Sequence, residues 1–464
     1  MSTVTELNLS DSSGRGVDQP PLSGGETPKP RLAATVISIT AGTTLEYVDF
    51  ALYGLAAGLV FGPVFYPELP PALALINNYA TYAVGFLARP AGALFFGWLG
   101  DKIGRKYILI VTLMLMGLST TCIGLLPSYA TAGYTGAILL LVLRLIQGFG
   151  AGAELSGGAI MLTETAEPHR RGLVASMIAF GSNGGVILAS GSWMLVNLLP
   201  EQDVIDWGWR IPFLCSVIVA GAALILRRKM DESPVFLATS EAAQREIAIG
   251  QERARAEEAS ATKTGGLRAF FALMGLRIAE NGPSYLSQTF IVGYVATYLG
   301  MSKSIPTDAV FYGAILGLFA VPVIGRLTDR FGRRVVYRVM TGFLVVFPFI
   351  AYPLMDSKNS AVVFIVIVVG FIVASVGMFA AQAAFAAELF GSRNRFKKMA
   401  LAKEIGSMIS GGVASLVAAA LLRASGHWWP IAVYFATMAG IGFITTFLVP
   451  ETRGRDLTDP NDAL

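Results

Sequence analysis

The chain has 464 residues, of which 54% are hydrophobic and only 14% charged, with a mean hydropathy of +0.60. Soluble domains carry about 25% charged residues, so a water-facing globular enzyme is excluded, and the two cysteines, Cys122 and Cys215, sit in apolar runs and exclude a disulfide scaffold. The net charge of +4 gains meaning only once the charges are placed along the chain.

Residues 1–32 are polar and rich in Ser, Gly and Pro, lack the basic-then-apolar order of a signal peptide, and read as a disordered tail. Apolar segments follow at about 33–62, 76–98, 107–127, 135–161, 173–199 and 210–226. A polar stretch, 227–268, contains SEAAQREIAIGQERARAEE, which suits a short helix beneath a bilayer. Six more apolar segments come at about 269–299, 308–325, 336–355, 360–386, 399–422 and 428–449, before a C-terminal tail at 450–464. Each is long enough to cross a hydrocarbon core of about 30 Å. The pattern predicts an all-α membrane protein with twelve transmembrane helices in two pseudo-symmetric six-helix bundles, 33–226 and 269–449. Taking loops alternately, 27 of the 35 Lys and Arg residues fall on one side, against Arg210, Lys303, Lys358 and Arg423 on the other. Positive loops stay in the cytoplasm. Both termini are therefore expected inside the plasma (inner) membrane, with the lipid bilayer as the main partner.

An internal repeat agrees with this division. Residues 97–106 read GWLGDKIGRK and residues 325–334 read GRLTDRFGRR. Gly97, Asp101, Gly104 and Arg105 thus recur as Gly325, Asp329, Gly332 and Arg333, each time after the second apolar segment of a half. Gly184-Gly185 and Gly411-Gly412 form a second echo in the fifth segments. Repeated bundles are a transporter architecture. The glycines allow tight turns, the aspartates can accept hydrogen bonds at a helix N-terminus, and the arginines can reach Glu164 and Glu388, which occupy matching places. Positive-inside anchoring explains the arginines but not the paired Asp and Gly. A cytoplasmic latch explains all of them.

These loops resemble the signature of the major facilitator superfamily. Further motifs are similar to its metabolite:proton symporters, the branch of the shikimate, α-ketoglutarate, citrate and proline/betaine carriers. They are GTTLEYVDFALYG (42–54), GFLARPAGALFFGWLGDKIGRK (85–106), RLIQGFGAGAELSGGA (144–159), GWRIPF (208–213), DESPVF (231–236), RIAENGPSYLSQTF (277–290) and PETRGRDL (450–457). The resemblance implies a two-bundle carrier working by alternating access, with the proton as coupling ion and no other cofactor. The fifth segment lacks the Gly-Pro motif of drug antiporters. The seventh has one glutamine, Gln288, where sugar porters carry a Gln-rich signature.

An ionisable group inside a span costs at least ~2.5–3.5 kcal/mol and so faces a partner or a watery cavity. Glu46, Asp49, Arg89, Arg144, Glu154, Arg277 and Glu280 are in this position. Glu46 and Asp49 share one helix face. At ~1.5 Å per residue, Asp49 and Arg144 lie at depths from which they can meet, so a protonation-sensitive Asp49–Arg144 pair is expected. Arg89 precedes Pro90 and has two readings: a fork for a substrate carboxylate, or a permanent partner of Glu46. Glu154 either binds a proton or bonds across a small-residue contact. Glu280, Asn281, Tyr285 and Gln288 suggest a substrate-facing stripe on the seventh span, or a polar packing surface. Tyr53, Gln147 and Asn183 are further substrate-site candidates.

His169 and His427 lie in loops on opposite sides, which leaves no histidine-based metal site. The absence of a P-loop excludes a self-contained ATP-driven pump, and the topology accounts for the basic residues without nucleic acid. The expectation is a monomeric proton-coupled carrier, not an enzyme, for a small carboxylate or zwitterion. Export or exchange, and a transporter-like membrane sensor, are the alternatives.

Overall fold

A computed structural model describes residues 32–103, 105–152, 155–228, 265–392, 395–459 and 461–464. The expected N-terminal tail and most of the 227–268 stretch, with its short helix, lie outside the described residues. The regular elements of the described residues are helices, the main ones being α1 (Leu32–Leu59), α2 (Pro71–Ile103), α3 (Arg105–Ile123), α4 (Thr135–Ala151), α5 (Leu155–Thr165), α6 (Pro168–Val196), α7 (Arg210–Arg228), α8 (Gly265–Tyr285), α9 (Ser304–Phe331), α10 (Arg333–Asp356), α11 (Ser360–Glu388), α12 (Arg395–Ser425) and α13 (Trp429–Leu448).

Among the described residues, α6 and α9 to α13 are long and apolar enough to cross a membrane. Glu201–Gly208 with Arg210–Ala222, bent by 48°, makes a seventh such element if the pair is one span. This is fewer than the twelve clean spans expected. The helices α1, α2 and α8 stand at expected places, but they carry Glu46 and Asp49, Arg89, and Arg277 and Glu280, which lower their hydropathy. Large apolar side chains such as Leu94, Leu118, Ile218, Phe319, Val339 and Ile444 are exposed on the outside. A surface of that kind suits lipid rather than water.

The helix pairing repeats along the chain. Helix α1 packs on α6, α2 on α4 and α3 on α7; later, α8 packs on α12, α9 on α11 and α10 on α13. The first-half and second-half helices meet where α9 lies against α6, α12 against α2, and α11 against α5 and α6. Glycines set the α2–α4 crossing: a Cβ on Gly148 would stand 2.0 Å from the Gly85 carbonyl oxygen, and one on Gly152 2.1 Å from that of Arg89. The backbones touch, which fixes Arg89 and Arg144 relative to each other.

Candidate functional site

At one end of the bundle, Gly332 has φ +98°, a conformation open to glycine, and turns α9 into α10. The Glu451 carboxylate caps the new helix, accepting hydrogen bonds from the backbone N–H of Arg333 at 2.8 Å and Arg334 at 3.1 Å. Arg333 is fully buried. Its Nε and Nη2 donate to the two oxygens of Glu388, both at 3.1 Å, and its Nη1 to Asp329 at 2.8 Å. The two carboxylate oxygens of Asp329 accept from the backbone N–H of Gly172 and Leu173, both at 2.8 Å, at the start of α6. Arg395 donates to Glu164 at 2.6 Å, a second link between the halves. The C-terminal tail folds onto this end, where Thr452 donates to Glu388 and the Ala463 N–H to the Leu389 carbonyl. Glu164, Asp329, Gly332, Arg333 and Glu388 thus gather at this end. The side chains at Gly97, Asp101, Gly104, Arg105 and Glu154 lie outside the described residues.

Midway along the bundle lies a buried charge cluster. Arg89 Nε donates to Glu404 at 2.7 Å, and its Nη2 to Glu404 and Glu46, each at 3.3 Å. Arg89 therefore takes the Glu46 pairing and a partner from the other half as well. Arg277 donates to Glu280, to Ser407 at 2.8 Å and to Gln382 at 3.4 Å; Gln382 donates to the Tyr337 hydroxyl at 3.1 Å. Lys403 is buried with its ammonium 5.7 Å from the Phe379 ring centroid. Among the described residues the cluster sets Arg89, Arg277 and Lys403 against Glu46, Glu280 and Glu404, so opposite charges offset the desolvation each suffers. The Glu46 Oε2 atom has no hydrogen-bond partner among the described residues.

Next to this cluster, the fully buried Arg144 guanidinium packs over Tyr53 at 4.3 Å, Tyr82 at 4.6 Å and Phe50 at 5.2 Å. Its Nη1 donates to Gln147, while its Nε and Nη2 have no partner among the described residues. The expected Asp49–Arg144 pair is not direct in this conformation. Gln147, one helical turn beyond Arg144, takes the guanidinium and donates to Thr120 at 2.6 Å, and Asp49 faces Thr120 and Gln147. Equal depth brought the two residues to one level, but helix rotation put the amide between them.

A central cavity between the halves is lined by Tyr47, Phe50, Ala51, Leu55, Tyr82 and Val186 on one side and by Tyr285, Gln288, Thr289 and Val310 on the other. Tyr285 and Gln288 line it as expected. Tyr53 lies behind it under Arg144, and Asn183 donates to the Ala179 carbonyl of its own helix at 2.8 Å. Asn281 points to the Ser407 carbonyl at 3.5 Å and Glu280 is engaged by Arg277. At the end opposite Arg333, the halves also touch. Tyr79 donates to the Thr289 carbonyl at 3.1 Å, and Lys303 to Glu201 at 2.8 Å. The two halves therefore touch on both sides of the cavity in this conformation.

Sequence reasoning missed Glu404, Lys403, Ser407, Gln382, Tyr337 and Arg395 as site residues. The first two carry the same signal as the rest, a charge inside an apolar run; the neutral residues carry none.

Residues 74–463 match the sugar (and other) transporter family. The chain is 32% identical over 418 residues to the shikimate transporter of Escherichia coli (strain K12), covering 89% of this chain and 93% of the relative. It is 34% identical over 436 residues to the proline/betaine transporter of Salmonella typhimurium (strain LT2), covering 92% and 85%. The crystal structure of a D-xylose-proton symporter matches with a TM-score of 0.68 at 18% identity, over 91% of this chain and 99% of that one, which is a likeness of fold: all-α, multi-span and resembling the major facilitator type. The chain belongs to the sugar (and other) transporter family, and it is a membrane transporter, not an enzyme.

Proposed function

We propose that the protein is a secondary active carrier that takes up a small organic acid or zwitterion together with protons. It works as a monomer of twelve spanning helices in the plasma membrane, rocking two six-helix bundles about the central cavity, with the Arg333 end and both termini in the cytoplasm. The observation that carries this reading is electrostatic. Arg89 and Arg144 stack on Phe50 at 5.0 and 5.2 Å, and Phe50 lines a cavity that holds no carboxylate among its lining residues. The two guanidinium charges favour a carboxylate there, and the ring faces of Tyr47, Tyr82 and Tyr285 accommodate a cationic portion. Arg144 has two nitrogens, Nε and Nη2, without acceptors among the described residues and is the better fork for the incoming carboxylate; Arg89 is held by Glu46 and Glu404. Asp49 and Glu46, on the neighbouring face of α1, carry the proton. The names of the shikimate and proline/betaine transporters support a substrate of this chemical class.

The test is uptake into proteoliposomes with an imposed proton gradient, against labelled shikimate, dicarboxylates, proline and glycine betaine. Accumulation of at least one, abolished by a protonophore, is expected. Equilibration without accumulation for every member would overturn the proton coupling, and no uptake of any would overturn the substrate class.

A further inference from the structure

A second cavity lies on the other side of α1 from the substrate. Leu45, Glu46 and Asp49 of α1 line it with Leu113, Met116 and Gly117 of α3 and Ser216, Val219 and Ala220 of α7. It has room for about one water molecule. The substrate cavity is lined by different residues, including Tyr47, Phe50 and Ala51 of the same helix. Two carboxylates border the second cavity, and the Oε2 of the buried Glu46 has no partner among the described residues. An orphaned carboxylate oxygen beside a water-sized space is costly unless water fills it.

We infer that this cavity is a water site joining Glu46 to Asp49, so that the two carboxylates bind one proton as a unit, apart from the substrate. The inference rests on the proton-coupled reading above. Glu46 and Asp49 stand three residues apart on one helix face, a gap that a water accepting from a protonated carboxyl and donating to its ionised neighbour spans. The pair has different neighbours at its two ends. Arg89, Glu404 and Lys403 face Glu46, whereas Thr120, Gln147 and Arg144 face Asp49. A proton on the unit therefore acts at both ends. It weakens the hold of Glu46 on Arg89, which also grips Glu404 of the other half, and it loosens the Gln147 link to Arg144, which packs over Phe50 and Tyr82 of the central cavity.

The test fills the water site in folded protein. Val219→Cys, with Cys122→Ala and Cys215→Ala, is purified, reconstituted and treated with a small methanethiosulfonate. Two rates are read with whichever of shikimate, a dicarboxylate, proline or glycine betaine the wild type exchanges in counterflow: counterflow at equal pH, and accumulation driven by a pH gradient. The expected result is counterflow within about twofold of the untreated protein and a loss of about tenfold in driven accumulation. Val219→Phe, which needs no reagent, should behave alike. Undiminished accumulation after complete modification would overturn the water-joined unit, as would a parallel fall in both rates. A wild type that shows counterflow but no driven accumulation would instead overturn the proton-coupled reading itself.

Discussion

Two arginines in this molecule are held by carboxylates in nearly the same way, yet the networks around them differ. Arg333 donates to both oxygens of Glu388 and to one of Asp329, all from second-half helices, and each carboxylate has a further donor: Thr452 for Glu388, and the Gly172 and Leu173 amides for Asp329. Arg89 joins the halves by its own side chain, gripping Glu46 of α1 and Glu404 of α12, and one oxygen of Glu46 has no protein partner among the described residues. A saturated network holds one arrangement, whereas a network short of a partner has a second arrangement available. The Arg333 cluster reaches the first half through Asp329 and the Gly172 and Leu173 amides, and on the proposed mechanism it acts as the latch. On the same mechanism the Arg89 cluster is the part whose bonds change.

The sharpest way to break this contrast is to remove each arginine. Arg89→Ala strands two buried carboxylates, at a cost of about 3–5 kcal/mol, and should abolish transport and lower the melting temperature in detergent. Arg89→Lys keeps the charge but not the fork, so it should recover stability but not transport. Transport by the Lys variant at more than a few per cent of wild type would show that charge alone suffices. Arg333→Ala is milder, at roughly 2–3 kcal/mol, because Glu388 keeps Thr452 and Asp329 keeps its two amides. Its mark should be conformational. A cysteine placed at Ser176, buried where α6 meets Gly325, should react about tenfold faster with an impermeant thiol reagent in Arg333→Ala, in a background lacking Cys122 and Cys215. Equal labelling would deny Arg333 the role of latch.

A smaller effect separates packing from charge. A Cβ on Gly85 would stand 2.7 Å from Arg144 Nε, so Gly85→Ala must push the guanidinium off its aromatic cage. The strain is about 1–3 kcal/mol. Uptake should fall by about tenfold, mainly through weaker substrate binding, while the Arg333 latch, measured by labelling at Ser176→Cys, stays closed. Unchanged affinity would remove Arg144 from the substrate site.

Much of this site was legible because a charge inside an apolar run has few physical explanations. Glu46, Asp49, Arg89, Arg144, Arg277 and Glu280 stand out by that argument, and all six are buried between helices. The repeated Asp-basic-x-Gly-Arg loop likewise pointed to Asp329 at a helix N-terminus and Arg333 on Glu388. Pairing was harder, because it depends on helix rotation and on partners far along the chain. Arg89 is 315 residues from Glu404, and nothing in either segment names the other. Glu164 meets Arg395 rather than an arginine of the repeated loops among the described residues. Neutral partners such as Gln382 and Ser407 carry no penalty that would flag them. The same buried charges that marked the site also dilute the hydropathy of α1, α2 and α8, so the spans richest in function are the least obvious as spans.

The end opposite the latch offers the weakest link and the most controlled comparison. Lys303 and Glu201 join the two halves there as a solvent-exposed pair at 2.8 Å, where water and salt screen the charges, so its worth is under about 1 kcal/mol. The hydrogen bond from Lys303, and then its charge, hold the Glu201 carboxyl below its usual range. The pair's contribution is accordingly present above the ordinary glutamate value of about 4.3 and disappears as pH falls through the lower folded-state value. Lys303→Ala should leave stability within error above pH 5 and change uptake by less than about twofold at physiological salt. A modest rise in labelling of a cysteine at Thr307, beside this pair, should appear at low salt and vanish at high salt. A severe transport defect in Lys303→Ala would mean that this end is held by charge after all, and that the contrast between a saturated latch and a switching core does not describe how the carrier closes.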